Sequence, residues 1–183
     1  MKELSLNVLD IAENSAKARA KLIEILITEK ENVLTLVIRD DGCGMEEEFL
    51  KNVTDPFTTT RTTRAVGMGL PLLKLEAEQT EGYMEIRSVS EKVDSEHHGT
   101  EVKAVFHTDH IDFTPPGDMV SSLVTLIQGH PDIDFLFRYE TEKGEAECDT
   151  REIREVLGED VSLAEYEVIS WIEENLREQF TLI

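Results

Sequence analysis

The chain has 183 residues, of which 40% are hydrophobic, and a formal net charge of -21 at pH 7. Because nucleic-acid binding depends on cationic side chains that displace counterions, this negative charge excludes DNA and RNA as the first choice of partner. We expect a cytoplasmic protein that does not enter the membrane, since no apolar run approaches the roughly 20 residues that span a bilayer and the opening MKELSLNVLD lacks the apolar core of a secretory signal.

Hydrophobic periodicity and turn residues predict a helix, a β-hairpin, a short helix, a loop, a second helix and another strand pair in the first part of the chain. These elements are predicted at 4–18, 22–28 with 33–39, 46–53, 54–66, 69–80, and 83–90 with 100–107. The loop at 54–66 contains many threonines and little apolar content, which is typical of a mobile surface segment.

A Pro-Pro-Gly sequence at 115–117 predicts a linker, and further elements follow it. They are a helix near 118–128, a strand pair near 133–149, a short helix near 150–157 and a closing helix near 162–178. The order of elements predicts an α/β (α+β) two-layer sandwich, with a mixed, largely antiparallel sheet covered on one face by helices. We expect two units: residues 1–108, and a small α+β subdomain at 109–183 that carries 19 acidic and 5 basic residues.

Three polar residues of the first predicted helix share one narrow sector, because about 100° separates successive residues. They are Asp10, Asn14 and Lys17. An asparagine inside a helix needs a use for its amide, and the amide oxygen is a ligand that Mg²⁺ accepts. The alternative is an ordinary solvated helix surface.

The sequence DGCGM at 41–45 follows directly after a predicted strand. Its glycines permit positive φ and the close approach of a flat ligand, and Asp41 can accept a hydrogen bond from an exocyclic amine such as that of adenine. A plain turn or a calcium loop would have a similar pattern, but the downstream acidic ligands of a calcium loop are not in register.

The sequence GMGL at 67–70 opens a predicted helix, where free backbone N–H groups suit phosphate oxygens. It lacks the Lys-Ser/Thr ending of a P-loop. A turn followed by a helix cap is the alternative. Arg61 and Arg64, in the preceding loop, can either reach a terminal phosphate or only solubilise the loop.

Taken in order, these segments resemble the GHKL ATPase superfamily, which includes gyrase, histidine kinases, mismatch-repair ATPases and a heat-shock chaperone. LDIAENSAKARA resembles its N box, IRDDGCGM its first glycine box, DPFTTT the F box of histidine kinases, VGMGLPLLK its second glycine box, and HGTEV its final Gly-Thr. The resemblance covers residues 1 to about 108 and implies an ATP-binding domain that works with Mg²⁺.

Carried over residue by residue, the resemblance implies that Asn14 coordinates Mg²⁺, Lys17 approaches phosphate, and Asp41 binds the adenine amine. Thr100 would complete the Asp41 side through water. The remaining implied ATP-binding residues are Gly42, Gly44, Met45, Thr58, Thr59, Arg61, Arg64, Gly67, Met68, Gly69 and Leu70.

Asp10 precedes Asn14 by four residues, where family members that hydrolyse ATP, and the anti-sigma serine kinases, usually have a glutamate as general base. Aspartate is one methylene shorter, and it can still act as a base or orient water. Glu13 is a second candidate for this catalytic role, and a solvated carboxylate is the alternative for Asp10.

Two family features are not recognisable: a helical domain with a phospho-accepting histidine upstream, and a transducer domain in 109–183. The stand-alone members, including anti-sigma serine/threonine kinases, are therefore the closest class. We expect either a slow ATPase or a serine/threonine-type protein kinase that acts in trans on a regulatory protein partner. The alternatives are a non-catalytic module that senses ATP, and an acidic interaction protein with a vestigial pocket.

Overall fold

The structure is a computed structural model that describes residues 3–54, 68–158 and 160–183. Its elements are α1 (Leu4–Lys17), β1 (Leu22–Lys30), β2 (Val33–Asp40), α2 (Glu47–Leu50), α3 (Gly69–Gln79), β3 (Tyr83–Val89), β4 (Gly99–His107), α4 (Met119–Gly129), β5 (Asp134–Thr141), β6 (Glu145–Asp149), α5 (Thr150–Leu157) and α6 (Tyr166–Phe180). Each predicted helix and strand has a counterpart here. The largest difference in a starting residue is in the closing helix, which begins at Tyr166 rather than near 162.

The six strands form one sheet in the order β3-β4-β2-β1-β5-β6. Within the described residues, only β1 and β5 pair in parallel, and the other neighbouring strands are antiparallel. The expectation of a mixed, largely antiparallel sheet is confirmed.

Side chains alternate between the two faces of this sheet, as a strand requires. On β2, Leu34, Leu36 and Ile38 are buried on the face that α1, α3, α4 and α6 cover. Residues that alternate with them, such as Val37 and Arg39, point to the opposite face. The arrangement is a two-layer α/β sandwich, and it decides which residues at the end of β2 point toward the helices.

The carboxy-terminal residues extend this sheet and do not form a separate core. Strand β5 lies beside β1, with Ile25 opposite Phe137, and buried residues from both parts of the chain form one hydrophobic cluster. The predicted boundary between 108 and 109 therefore runs through a single sheet. The sheet is continuous because β5 pairs in parallel with β1, and no local pattern in the sequence predicts this pairing.

The Pro-Pro-Gly segment also has a structural role at the start of α1. The N–H groups of Leu4 and Ser5 donate to the carbonyl oxygens of Pro115 and Pro116, each at 2.9 Å. Because the first N–H groups of a helix have no partner inside it, these carbonyls cap α1. The segment joins the two parts of the chain instead of separating them.

None of the helices in the described ranges combines the length and the apolarity that crossing a bilayer requires.

Candidate functional site

A cavity of about 180 Å³ lies between α1 and the sheet, at the end where β2 finishes. Its walls come from α1, from the ends of β2 and β4, from the glycine-containing loop after β2, and from the start of α3. The lining residues are Ile11, Asn14, Ser15, Lys17, Ala18, Ile38, Asp40, Gly44, Met45, Phe49, Leu70, Thr100 and Val102. The walls are mostly apolar with a few polar groups at fixed places, which is the usual composition of a small-molecule site.

Asp40 is the acidic residue among these lining residues. One carboxylate oxygen accepts from Ser15 Oγ at 2.6 Å, and the other accepts from the backbone N–H of Gly42 at 2.9 Å. Burial raises the pKa of Asp40 above its ordinary value, while the hydrogen bonds from Ser15 and Gly42 oppose that rise. A partly buried carboxylate of this kind can accept one more hydrogen bond from a ligand.

Asp41, the residue that the sequence pattern selected, does not line the cavity. Its side chain is exposed, and its Oδ1 accepts from the N–H groups of Lys21 and Leu22 at 2.7 and 2.9 Å. It fixes the start of β1 to the end of β2. The physical reason is strand alternation: Ile38 and Asp40 point to the helices, so the next residue points away.

Thr100 lies opposite Asp40 in the register of β2 and β4, and its hydroxyl is 2.9 Å from Ser88 Oγ. Ser88 also accepts from the N–H of Met45 at 2.8 Å and donates to the carbonyl of Gly99 at 3.0 Å. One partly buried network thus joins the glycine-containing loop to the end of β3 and the start of β4. Sequence reasoning identified Thr100 and Met45 but missed Asp40, Ser15 and Ser88.

The loop after β2 is fixed on both sides. The N–H of Cys43 donates to Ala18 at the end of α1, and its carbonyl accepts from Glu91, both at 2.9 Å. Gly44 has a φ of +63°, and a Cβ there would lie 1.9 Å from the carbonyl oxygen of Val89. Only glycine fits this close approach. Gly42, the other predicted glycine of this loop, is also buried.

The last turns of α1 supply the polar groups at the other end of the cavity. Asn14 lines it, and the amide nitrogen of Asn14 is buried without a hydrogen-bond partner. Lys17 is exposed at the helix end and also lines the cavity. The structure therefore brings Asn14 and Lys17 together with Asp40 and Thr100, as the sequence led us to expect for all but the aspartate.

The two candidate catalytic carboxylates point in different directions. Asp10 faces the start of α3, where a Cβ on Gly69 would lie 2.1 Å from its Oδ2. That Oδ2 is buried and has no hydrogen-bond partner. Glu13 instead accepts from Nε2 of His130, which follows α4, at 2.9 Å. Glu13 is thus engaged on the side of α1 that faces α4.

The other predicted residues fall into two groups. Leu70 is buried and lines the cavity, whereas Met68, just before α3, is 55% exposed and does not line it. The rest lie outside the described residues: Thr58, Thr59, Arg61, Arg64 and Gly67.

The residues at the α1 end fit a magnesium-bound polyphosphate. The side-chain amide of Asn14 lies at the cavity wall, where its nitrogen is buried without a partner, and its oxygen is a hard ligand of the kind Mg²⁺ takes. Mg²⁺ usually keeps several waters and takes few protein ligands when it is bound together with phosphates. Asn14 would hold such an ion together with phosphate oxygens and waters.

A family model described as "Histidine kinase-, DNA gyrase B-, and HSP90-like ATPase" matches residues 1–110, which is more than half of the chain. The chain belongs to this family. The match runs from α1 to the end of β4, so every part of the cavity wall lies within the family domain. The prediction of a GHKL-type, histidine-kinase-like domain is confirmed.

Relatives of this ATPase family share parts of the same segment. A protein of Shewanella frigidimarina described as a sensor protein is 30% identical over 105 residues, which are 57% of this chain and 15% of that protein. Sporulation kinase A of Bacillus subtilis is 31% identical over 70 residues, which are 38% of this chain and 11% of that protein. The chain therefore spans only a small fraction of the length of the curated relatives it matches.

Solved structures of low sequence identity share the fold. The Aquifex aeolicus MutL ATPase domain, complexed with ADP, matches with a TM-score of 0.54 at 15% identity, over 86% of this chain and 69% of that one. The N-terminal domain of a DNA repair protein matches with a TM-score of 0.52 at 18% identity, over 80% of this chain and 52% of that one. Both matches support the two-layer arrangement seen here.

Proposed function

We propose that this GHKL-family chain binds Mg-ATP and acts on it as an enzyme, either a slow ATPase or a serine/threonine-type protein kinase that modifies a regulatory protein partner in the cytoplasm. One observation carries the proposal. A single cavity holds Asp40 and Thr100 at the sheet end, and Asn14 and Lys17 at the helix end. These positions support an acceptor for a purine amine at one end of the site and a ligand for a phosphate-bound metal at the other.

The sheet end suits adenine. Asp40 offers a carboxylate as acceptor, Thr100 offers a hydroxyl beside it, and Ile38, Met45 and Val102 supply apolar walls for a flat ring. The adenine role assigned to Asp41 from the sequence passes to Asp40 in this proposal, because Asp41 points away and is bonded to backbone amides.

The helix end suits the triphosphate. In the proposal the amide oxygen of Asn14 coordinates Mg²⁺, and the ion neutralises charge on the phosphates. Lys17 adds a positive charge at the same wall. The N-terminal turn of α3, which begins at Gly69, offers backbone N–H groups and the positive end of a helix dipole.

Asp10 is the proposed general base. Its Oδ2 is buried without a partner and lies against the first residue of α3, where the terminal phosphate would be held. A base in this place would take the proton from the attacking water or hydroxyl group. Glu13 is less suited, since His130 already donates to it.

Two measurements on the purified protein test the proposal. Calorimetric titration with Mg-ATP should give binding heat, and none at millimolar nucleotide would contradict an ATP site. Incubation with γ-labelled Mg-ATP, with and without co-purifying proteins, then distinguishes the activities. Label in free phosphate indicates an ATPase, label on a partner indicates a kinase, and label that stays in ATP contradicts both.

A non-catalytic ATP-sensing module is the second candidate, and it is favoured by the shorter side chain of aspartate at position 10. The Asp10→Asn variant separates the two. In an enzyme, turnover should fall by roughly 10²- to 10⁴-fold, the usual contribution of a general base. In a sensing module the wild type already has no turnover, and both proteins bind Mg-ATP equally.

A further inference from the structure

All the buried side-chain polar atoms that lack a hydrogen-bond partner in the described part of the chain lie on α1. They are Asn7 Oδ1, Asp10 Oδ2 and Asn14 Nδ2. Their spacing of three and four residues places them in one row along the helix. Since Asp10 abuts Gly69 and Asn7 bonds Glu76, this row faces α3. Asn14 and Asp10 belong to the proposed ATP site, but Asn7 lies one turn further away from the cavity.

Asn7 and Glu76 form a polar pair inside the helix layer. Asn7 is fully buried and Glu76 is only 6% exposed, and the side-chain amide of Asn7 donates to Glu76 Oε2. A buried carboxylate is costly unless it accepts hydrogen bonds. The bond joins α1 to α3 across 69 residues of sequence, so it fixes the position of one helix against the other.

This pair and the Asp10–Gly69 contact belong to the same two helices. On α1, Asn7 precedes Asp10 by one turn; on α3, Glu76 follows Gly69 by two turns, or roughly 10 Å of helix. A helix of this length moves as a rigid unit, so a shift at Glu76 also moves Gly69. The buried bond is thus placed to control the distance between Asp10 and the start of α3.

We propose that Asn7 and Glu76 are positioning residues: their buried hydrogen bond holds α3 against α1 and thereby keeps Gly69 against the Asp10 carboxylate. Neither residue lines the cavity, and each lies further from it along its helix than Asp10 and Gly69 do, so the pair acts on ATP turnover without touching the nucleotide. The inference deepens the proposed function and rests on it for the kinetic part of the test. The structural part, the placement of α3, stands independently of any activity.

The test replaces both members with apolar residues of similar size, in the Asn7→Leu/Glu76→Met double variant. Replacing both partners of a buried hydrogen bond by apolar groups of similar shape can be nearly neutral for stability, whereas removing one partner costs the other this hydrogen bond. The melting temperature and the Kd for Mg-ATP are therefore expected to stay near wild type. Turnover is expected to fall by roughly tenfold to a hundredfold, the scale that a small misplacement of a catalytic group produces.

Hydrogen exchange in the nucleotide-free protein gives a second readout. The amides at residues 72–76 of α3, of which Leu72 donates to the carbonyl of Met68 at 3.0 Å, are expected to exchange about tenfold faster in the double variant, since local protection reports local opening. Amides in β1 and β2 are the internal control and should keep their protection. If a folded double variant shows wild-type exchange at residues 72–76, or wild-type turnover, the positioning role is overturned.

Two further variants make the result independent of how the double variant folds. Glu76→Gln keeps an acceptor oxygen for Asn7 and should retain wild-type exchange and turnover; a loss as large as in the double variant would contradict the hydrogen bond as the cause. Asn7→Ser is too short to reach Glu76 and should reproduce the faster exchange; wild-type exchange would overturn the inference. If the wild type itself does not turn over ATP, the proposed enzyme fails, while the exchange readout still decides the placement of α3.

Discussion

Asp40 and Thr100 are paired across β2 and β4, and both line the cavity beneath α1. Their neighbours Arg39 and Glu101 are paired in the same way but form an ion pair on the opposite face of the sheet. Because side chains alternate along a strand, neighbouring residues here point to opposite faces, one toward the cavity and the next toward solvent. Most of the predictions below depend on this side of the sheet.

Asp40→Asn should weaken Mg-ATP binding, because the amide offers a weaker acceptor than the carboxylate. Hydrogen bonds to charged groups contribute about 1.5–3 kcal/mol, which corresponds to a roughly tenfold to hundredfold rise in Kd. Asp41→Asn is the matched control and should bind like wild type, since its side chain bonds only the amides of Lys21 and Leu22 among the described residues. Calorimetric titration of both variants with Mg-ATP tests this. A larger loss of affinity in Asp41→Asn than in Asp40→Asn would show that Asp41 binds the adenine.

As the pH is lowered, nucleotide binding should begin to weaken at a higher pH than it would if Asp40 had the pKa of an ordinary aspartate. Burial is the main cause that raises the pKa of Asp40 above 3.8. When pH falls through this raised pKa, the carboxylate becomes a neutral acid and loses acceptor strength. Titrations across the acidic range, limited to pH values at which circular dichroism shows folded protein, should give a pH-dependent Kd in wild type. A profile in Asp40→Asn that still tracks the wild type would show that another group is responsible.

The stability of the nucleotide-free protein should show the opposite dependence on pH: the contribution of Asp40 should increase as the pH falls. Because the pKa of Asp40 is higher in the folded state than its ordinary value, protonation favours the folded state. This contribution is fully present below the unfolded pKa of about 3.8 and is lost as pH rises through the folded pKa. Urea unfolding at several pH values should therefore show a difference between wild type and Asp40→Asn that grows across this window. A constant difference would contradict the raised pKa.

Gly69→Ala should reduce turnover without loss of stability. The added Cβ would lie 2.1 Å from Asp10 Oδ2, so the carboxylate has to move. Gly69 does not have a positive φ, so the backbone accepts alanine, and the nearest atom is the far end of the Asp10 side chain, which can move aside. Gly129→Ala at the end of α4 is the control, since a Cβ there meets no atom within 4 Å. Melting temperatures and turnover of both variants test this; full activity in Gly69→Ala would separate Asp10 from catalysis.

Glu13→Gln should leave turnover within about threefold of wild type, far from the 10²- to 10⁴-fold loss expected when a general base is removed. The reason is that Glu13 accepts from His130 on the α4 side of the helix, while Asp10 faces α3. His130→Ala should behave in the same way. A collapse of turnover in Glu13→Gln together with normal turnover in Asp10→Asn would reverse the two assignments.

Much of this architecture is readable from local patterns. The alternation of Leu34, Leu36 and Ile38 predicted β2, and the spacing of Leu4 and Val8 predicted α1, because each pattern reports a single buried face. The same alternation, continued by one step, would have selected Asp40. The motif pattern instead favoured the aspartate next to the first glycine.

Other features depend on contacts that are distant in sequence. Nothing near Phe137 indicates that it will lie beside Ile25, so the sequence suggested a separate carboxy-terminal unit. The bonds from Ser15 to Asp40 and from His130 to Glu13 likewise join different elements, and ordinary polar residues give no local signal of such partners. Ser15 was therefore missed as a part of the site, and the hydrogen bond that holds Glu13 away from it was not predicted.

The position of β5 has a consequence for any attempt to isolate the ATP-binding part. A fragment that ends at residue 110, where the family match stops, would leave β1 at the rim of the sheet with its main-chain groups open along the side where β5 pairs. It would also lose the carbonyls of Pro115 and Pro116 that cap the first helix. The unpaired main-chain groups of such an edge strand can form hydrogen bonds with strands of other chains. Light scattering should therefore show self-association of the fragment. Residues 111–183 thus protect the full chain from aggregation by covering this strand edge.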